Sequence, residues 1–106
     1  MIFETLMESA ERGELILVDG GLCHWHLRRD GQLTIREIIV LPDRRGLGVG
    51  AAILARLRTT PGATSIFAKC PAELPANGWY SHMGFECEGT ETTPGGRELN
   101  LWRLQL

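Results

Sequence analysis

Leu33-Thr34-Ile35-Arg36-Glu37-Ile38-Ile39-Val40-Leu41-Pro42-Asp43-Arg44-Arg45-Gly46-Leu47-Gly48-Val49-Gly50-Ala51-Ala52-Ile53-Leu54-Ala55-Arg56-Leu57-Arg58 runs from a strand pattern through a glycine run into a helix pattern. Residues 33–41 are rich in β-branched side chains, and Pro42-Asp43-Arg44 stops that strand. Ala51 to Arg58 consists almost wholly of good helix formers. Gly46, Gly48 and Gly50 remove Cβ atoms where the helix begins. Free backbone N–H groups and the positive end of the helix dipole gather at that place and attract anions. Each glycine costs a helix roughly 0.5–1 kcal/mol, so three at alternate positions point to a phosphate cradle rather than to tight packing alone. Arg44 and Arg45 stand just before it, either as a solvated pair or as cations near the phosphates.

Several families build such cradles. A P-loop would close its glycine run with Gly-Lys-Ser/Thr, which is absent. Gly46-Leu47-Gly48-Val49-Gly50-Ala51 fits the loose dinucleotide fingerprint. That fold needs further βα units and an acidic residue about 20 positions on, where this chain has Ala68, Lys69 and Cys70. Arg45-x-x-Gly48-x-Gly50 after a strand resembles instead the acyl-CoA signature (Q/R-x-x-G-x-G/A) of the GNAT family of N-acetyltransferases. Downstream, Tyr80-Ser81-His82-Met83-Gly84-Phe85 is similar to that family's Y-x-x-x-G-F ending. Asn77 precedes it, with the tyrosine one place early relative to the longer N-x-x-x-x-Y form.

The pattern along the chain agrees in order. Met1 to about Arg12 reads as a short amphipathic helix stopped by Gly13. Strands at Glu14–Val18, Leu22–Arg29 and Leu33–Leu41 are joined by turns at Asp19-Gly20-Gly21 and Asp30-Gly31. After the helix come a strand at Ser65–Cys70, a bend over Pro71–Pro75, and a short helix that Asn77 caps and Gly84 ends. Phe85–Glu88 and Glu98–Leu104 read as a closing hairpin around a mobile-looking Gly89–Gly96 loop. The expectation is one α/β (α+β) domain over residues 1–106, with a GNAT-like acyl-CoA N-acyltransferase fold: a mostly antiparallel, centrally splayed sheet flanked by helices. Family members usually carry one more strand and helix at the front, so the resemblance covers Gly13 to Leu104 and makes this a short member. A curtailed front edge leaves acceptor specificity open and favours a homodimer.

Composition bounds the partners. A chain of 106 residues, 43% hydrophobic and 23% charged with net charge −2, reads as a globular protein whose surface does not favour nucleic acid or anionic membrane. No apolar run approaches the roughly 18–20 residues that span a bilayer, and the start lacks a signal-peptide pattern. Cys23, Cys70 and Cys87 are odd in number and widely spaced, which suits a reducing cytoplasm.

The resemblance implies acetyl-CoA as co-substrate, no metal, and an amine acceptor that is either a small molecule or a peptide. It places the pyrophosphate on main-chain groups from about Gly46 and Leu47 through Gly48, Val49, Gly50 and Ala51. It splays strand Ile38–Val40 from strand Ser65–Cys70 and lays the pantetheine arm between them, against the backbone of Ile39, Val40 and Leu41, with Asn77 as a further coenzyme contact. Tyr80, the chain's sole tyrosine, stands where the family protonates the leaving sulfur. The residues themselves single out Glu37. Strict alternation puts Leu33, Ile35, Glu37, Ile39 and Leu41 on one face, so a carboxylate interrupts an apolar row and could act as general base. A β-bulge would flip it to solvent instead, or it could pair with a neighbouring cation. His24 and His26 share a strand face, but two ligands do not make a metal site; they read as solvent-facing or as acceptor-pocket lining. Cys70, with no base nearby in sequence, reads as core. The reaction implied is direct attack of a primary amine in a ternary complex. The alternative from another class is a non-catalytic acyl-CoA sensor or interaction module.

Overall fold

The computed structural model describes residues 13–106; the helix expected over 1–12 lies outside the described residues. The three-strand meander forms as the turn residues dictate. β1 (Leu15–Val18), β2 (Gly21–Leu27) and β3 (Gln32–Val40) pair antiparallel in chain order. A 3-10 turn over Pro42–Arg44 and the glycine loop lead into α1 (Val49–Arg58). There follow β4 (Ser65–Pro71), α2 (Ala76–His82), β5 (Glu86–Thr92) and β6 (Glu98–Gln105). Among the described residues six strands make one sheet in the order β1-β2-β3-β4-β6-β5, with β3–β4 the parallel pair.

Both helices lie on the same face. A Cβ added to Gly21 would touch Val49 and Ile53 of α1, and one added to Gly50 would touch the indole of Trp79 on α2. Register then assigns Cys23, Trp25 and Leu27 on β2, and Leu33, Ile35 and Ile38 on β3, to that face. Ile53, Leu54 and Leu57 of α1 pack down onto them, at the i, i+1, i+4 spacing of a core-facing stripe. On the other half of the sheet Tyr80 of α2 stacks on Trp102, with ring centroids 6.1 Å apart. Phe85, edge-on to Tyr80, completes that end of the core.

Two expectations change. The segment read as a mobile loop from Gly89 is strand as far as Thr92, because β5 pairs with β6 to Thr92↔Glu98, and only residues 93–97 turn. β5 was hard to recognise because all seven of its residues are exposed, so no apolar alternation marks it. The strict alternation through β3 also fails. Register slips between His24↔Glu37 and Trp25↔Ile35, leaving Arg36 as the extra residue of a β-bulge. Ile38 therefore shares the helix face with Ile35, while Glu37 and Ile39 turn to the face opposite α1 and α2.

Candidate active site

The sheet opens at its centre. β3 and β4 are paired only from Gln32↔Ser65 to Ile35↔Ala68. Beyond that point β3 continues to Val40 beside β2, and β4 continues to Pro71 beside β6, with no pairing between them. The expected splay is present, and its backbone groups can be assigned. Leu41 N–H donates to Gly20 C=O at 2.8 Å. Amides of alternate residues face opposite edges, so Ile39 also turns to β2 while Ile38 and Val40 turn to the gap. Ala72 N–H donates to Glu98 C=O on the β6 side, which by the same alternation turns Lys69 to the gap. Of the three positions named for the arm, Val40 thus presents its amide to the gap; Ile39 and Leu41 spend theirs on the β2 side. Ile38 and Lys69 lie within the strand spans expected to splay, and the register is what singles out their amides.

One end of the gap leads to the glycine loop. Gly46 and Gly48 have φ of +78° and +83°, which side-chain-bearing residues rarely adopt, and a Cβ at either would meet nothing within 4 Å. Gly48 is the N-cap of α1 and offers no side-chain cap, and the first intrahelical bond is Ala52 N–H to Gly48 C=O at 2.9 Å. The N–H groups of Val49, Gly50 and Ala51 therefore have no intrahelical acceptor, and no acidic side chain stands in the first turn. An open, uncapped, glycine-lipped helix start fits a pyrophosphate. The arginines do other work. Arg44 Nη1 donates to Asp19 Oδ2 at 2.8 Å, and Arg45 Nε donates to Val40 C=O at 3.3 Å.

Tyr80 lies on the helix side with only 4% of its surface exposed. Its ring touches Trp79, Phe85 and Trp102, and its hydroxyl makes no hydrogen bond to another described residue. Burial, and then the nearness of Cys70 and Cys23, push its pKa upward, so the phenol stays protonated. Burial likewise raises Cys70, helped by the Glu73 carboxylate, which leaves that thiol an inert core group. Glu37 stands half-buried on the opposite face, directly across from His24 on β2. His24 is buried rather than solvent-facing, and His26 Nδ1 pairs with Glu14 Oε2. Among the described residues no group of three or more His, Cys, Asp or Glu side chains could hold a metal ion, and no helix is long and apolar enough to cross a membrane.

Asn77 is not a helix cap. Pro75 takes the N-cap position, and the Asn77 amide works inward. Nδ2 donates to the carbonyls of Pro71 and Leu74, both at 2.8 Å, and more weakly to Ala72. Oδ1 accepts from Asn100 Nδ2 and Trp102 Nε1, both at 3.0 Å. With both ends occupied, this side chain fixes the bend after β4 to β6 and keeps no group for a coenzyme.

Against this geometry the comparisons with known proteins fall into place. The family model described as "Acetyltransferase (GNAT) domain" matches residues 6–87. The chain belongs to the GNAT acetyltransferase family. No curated protein sequence matches it at a significant level. Among solved structures it is similar to a GNAT-family protein of Desulfovibrio desulfuricans (25% identity, TM-score 0.71, 81% of this chain and 61% of that one). It is also similar to nourseothricin acetyltransferase (26%, TM-score 0.68, 81% and 57%). A third similar structure, at 19% identity, shares the fold: a protein of Bacillus anthracis assigned as a streptothricin acetyltransferase, in complex with acetyl coenzyme A (TM-score 0.74, 82% and 56%). The chain thus spans about three-fifths of the length of these similar structures.

Proposed function

We propose that this GNAT chain transfers an acetyl group from acetyl-CoA to a primary amine by direct attack in a ternary complex. The observation that carries the reading is the unpaired gap between β3 and β4, with an uncapped helix start at one end and the buried Tyr80 on the helix side. The N–H groups of Val49, Gly50 and Ala51 receive the pyrophosphate. The edges of Ile38, Val40 and Lys69 pair with the amides of the pantetheine arm, as a strand would. The gap connects the two faces of the sheet, so the amine reaches the thioester from the face opposite α1 and α2, where Glu37 stands. The amine nitrogen bonds to the acetyl carbon while the carbon–sulfur bond breaks. Tyr80 donates its proton toward the departing sulfur, a hydrogen bond strengthened by the low dielectric around the ring. Glu37, directly or through water, takes the proton that the amine loses.

The first test is calorimetric titration of the protein with acetyl-CoA, with ATP and NAD as controls, followed by turnover with candidate amines. Selective binding of acetyl-CoA supports the reading; equal competition by ATP or NAD sinks it. Tyr80→Phe should lower kcat by about 10²-fold or more while leaving acetyl-CoA affinity within twofold. Tight coenzyme binding without turnover on any amine would favour the sensor reading.

A further inference from the structure

Both ends of the glycine loop rest on one short turn that the family motifs do not include. At the entry, Leu41 N–H donates to Gly20 C=O at 2.8 Å, and Arg44 Nη1 donates to Asp19 Oδ2 at 2.8 Å. The aliphatic stem of Arg44 lies so close over Gly20 that a Cβ there would sit 2.6 Å from Arg44 Cγ. At the exit, a Cβ on Gly21 would sit 2.9 Å from Val49 Cγ1 and 2.9 Å from Ile39 C=O. Val49 is the first residue of α1 and one of the three uncapped N–H donors. The β1–β2 turn therefore sets the position of the loop from before Arg45 to the helix start, and it does so only because its residues are small enough to allow the contact.

We infer that the turn Asp19-Gly20-Gly21 is a positioning element for the coenzyme's pyrophosphate, acting through Arg44 and Val49. This rests on the proposed acetyl-CoA reading. Asp19 pairs with Arg44 at the turn and lies outside the strand edges assigned to the arm, so changing it should act on one portion of the coenzyme alone. Acetylpantetheine, which carries the thioester and arm but no pyrophosphate, separates this role from a general structural one.

The experiment measures KM and kcat with acetyl-CoA and with acetylpantetheine for wild type, Asp19→Ala, Gly21→Ala and the charge-swapped pair Asp19→Arg with Arg44→Asp. Asp19→Ala removes an exposed ion pair and should raise KM for acetyl-CoA about threefold. Gly21→Ala displaces the helix start and should raise it about tenfold or more. The swapped pair should return most of the Asp19→Ala loss, because Arg44 acts by holding the turn. For Asp19→Ala and the swapped pair, kcat at saturation and both constants for acetylpantetheine should stay within twofold of wild type; Gly21→Ala, whose Cβ also presses on the Ile39 carbonyl, should raise KM for acetyl-CoA several-fold more than KM for acetylpantetheine. Equal losses with both thioesters, or none with either, would overturn the inference. Should Gly21→Ala not fold, Asp19→Ala and the swap carry the same decision. A wild-type protein that binds no acetyl-CoA would instead overturn the coenzyme reading itself, together with this inference.

Discussion

Replacing Asn77 by alanine should cost this protein a large part of its stability, and the structure allows the sum to be worked. Four strong hydrogen bonds disappear: two donated to Pro71 and Leu74, and two accepted from Asn100 and Trp102. The Pro71 carbonyl keeps the Leu74 N–H at 3.0 Å, and Asn100 and Leu74 can turn to water, so these three lose only about 0.5 kcal/mol each. Trp102 is 9% exposed, so its indole N–H is left without a partner. A buried group stranded in this way costs about 1–3 kcal/mol. The total is about 2.5–4.5 kcal/mol, against roughly 5–15 kcal/mol for a domain as a whole. A melting point lower by roughly 10–20 °C follows for a chain of this size. Urea unfolding followed by tryptophan fluorescence measures it, since Trp102 itself reports on the site. Asn77→Asp sharpens the test: it keeps an acceptor for Trp102 but sets a carboxylate against the Pro71 and Leu74 carbonyls. Only its protonated form returns a donor, so the folded pKa is raised and stability gained toward acid is lost as pH rises. A loss below about 1 kcal/mol for Asn77→Ala would show that the hub is incidental to the fold.

Two further outcomes follow from burial and close contact. Burial pushes the Cys23 thiol up to about 12, so the folded state holds a proton that the unfolded chain releases near the ordinary thiol range. Stability is full below that range and should fall by about 1.4 kcal/mol per pH unit between roughly pH 9 and 12; Cys23→Ala should flatten this part of a stability–pH curve, and an unchanged slope would refute the assignment. Gly50→Ala would gain about 1 kcal/mol from helix propensity, yet its Cβ would lie 3.0–3.1 Å from the Trp79 indole. Overpacking of that kind costs about 1–3 kcal/mol, so denaturant titration should show no net gain; a stabilisation of about 1 kcal/mol would mean that α2 gives way freely.

Much of this architecture was legible in the residues, and the exceptions share a cause. Turn chemistry at Asp19-Gly20-Gly21 and Asp30-Gly31 located the meander, and the glycine run located the start of α1 within two residues. Period-two reasoning worked for β3 only as far as Ile35. A single inserted residue, Arg36, reversed the faces beyond it, and no local property of arginine announces a bulge. Glu37 was singled out for standing in an apolar row; it stands on the other face, beside a histidine that only cross-strand register could supply. Asn77 carries the residue type of a cap, but its partners Asn100 and Trp102 lie more than twenty positions away. The arginines before the glycine loop were legible as cations, whereas their hydrogen-bond partners depended on where β2 begins and β3 ends.

The break between β3 and β4 also has a consequence for how the protein ages. Its sheet is two leaves, three strands each, sewn together by four residue pairs near one end and otherwise held by the helices laid across them. A guest seated in the opening would supply the missing stitches, and anything bound to the folded form alone raises its stability in proportion to the logarithm of its concentration. Starved of that guest, the leaves would part more often and expose their inner edges to proteases. The survival time of each copy would then follow the supply of whatever molecule seats itself there.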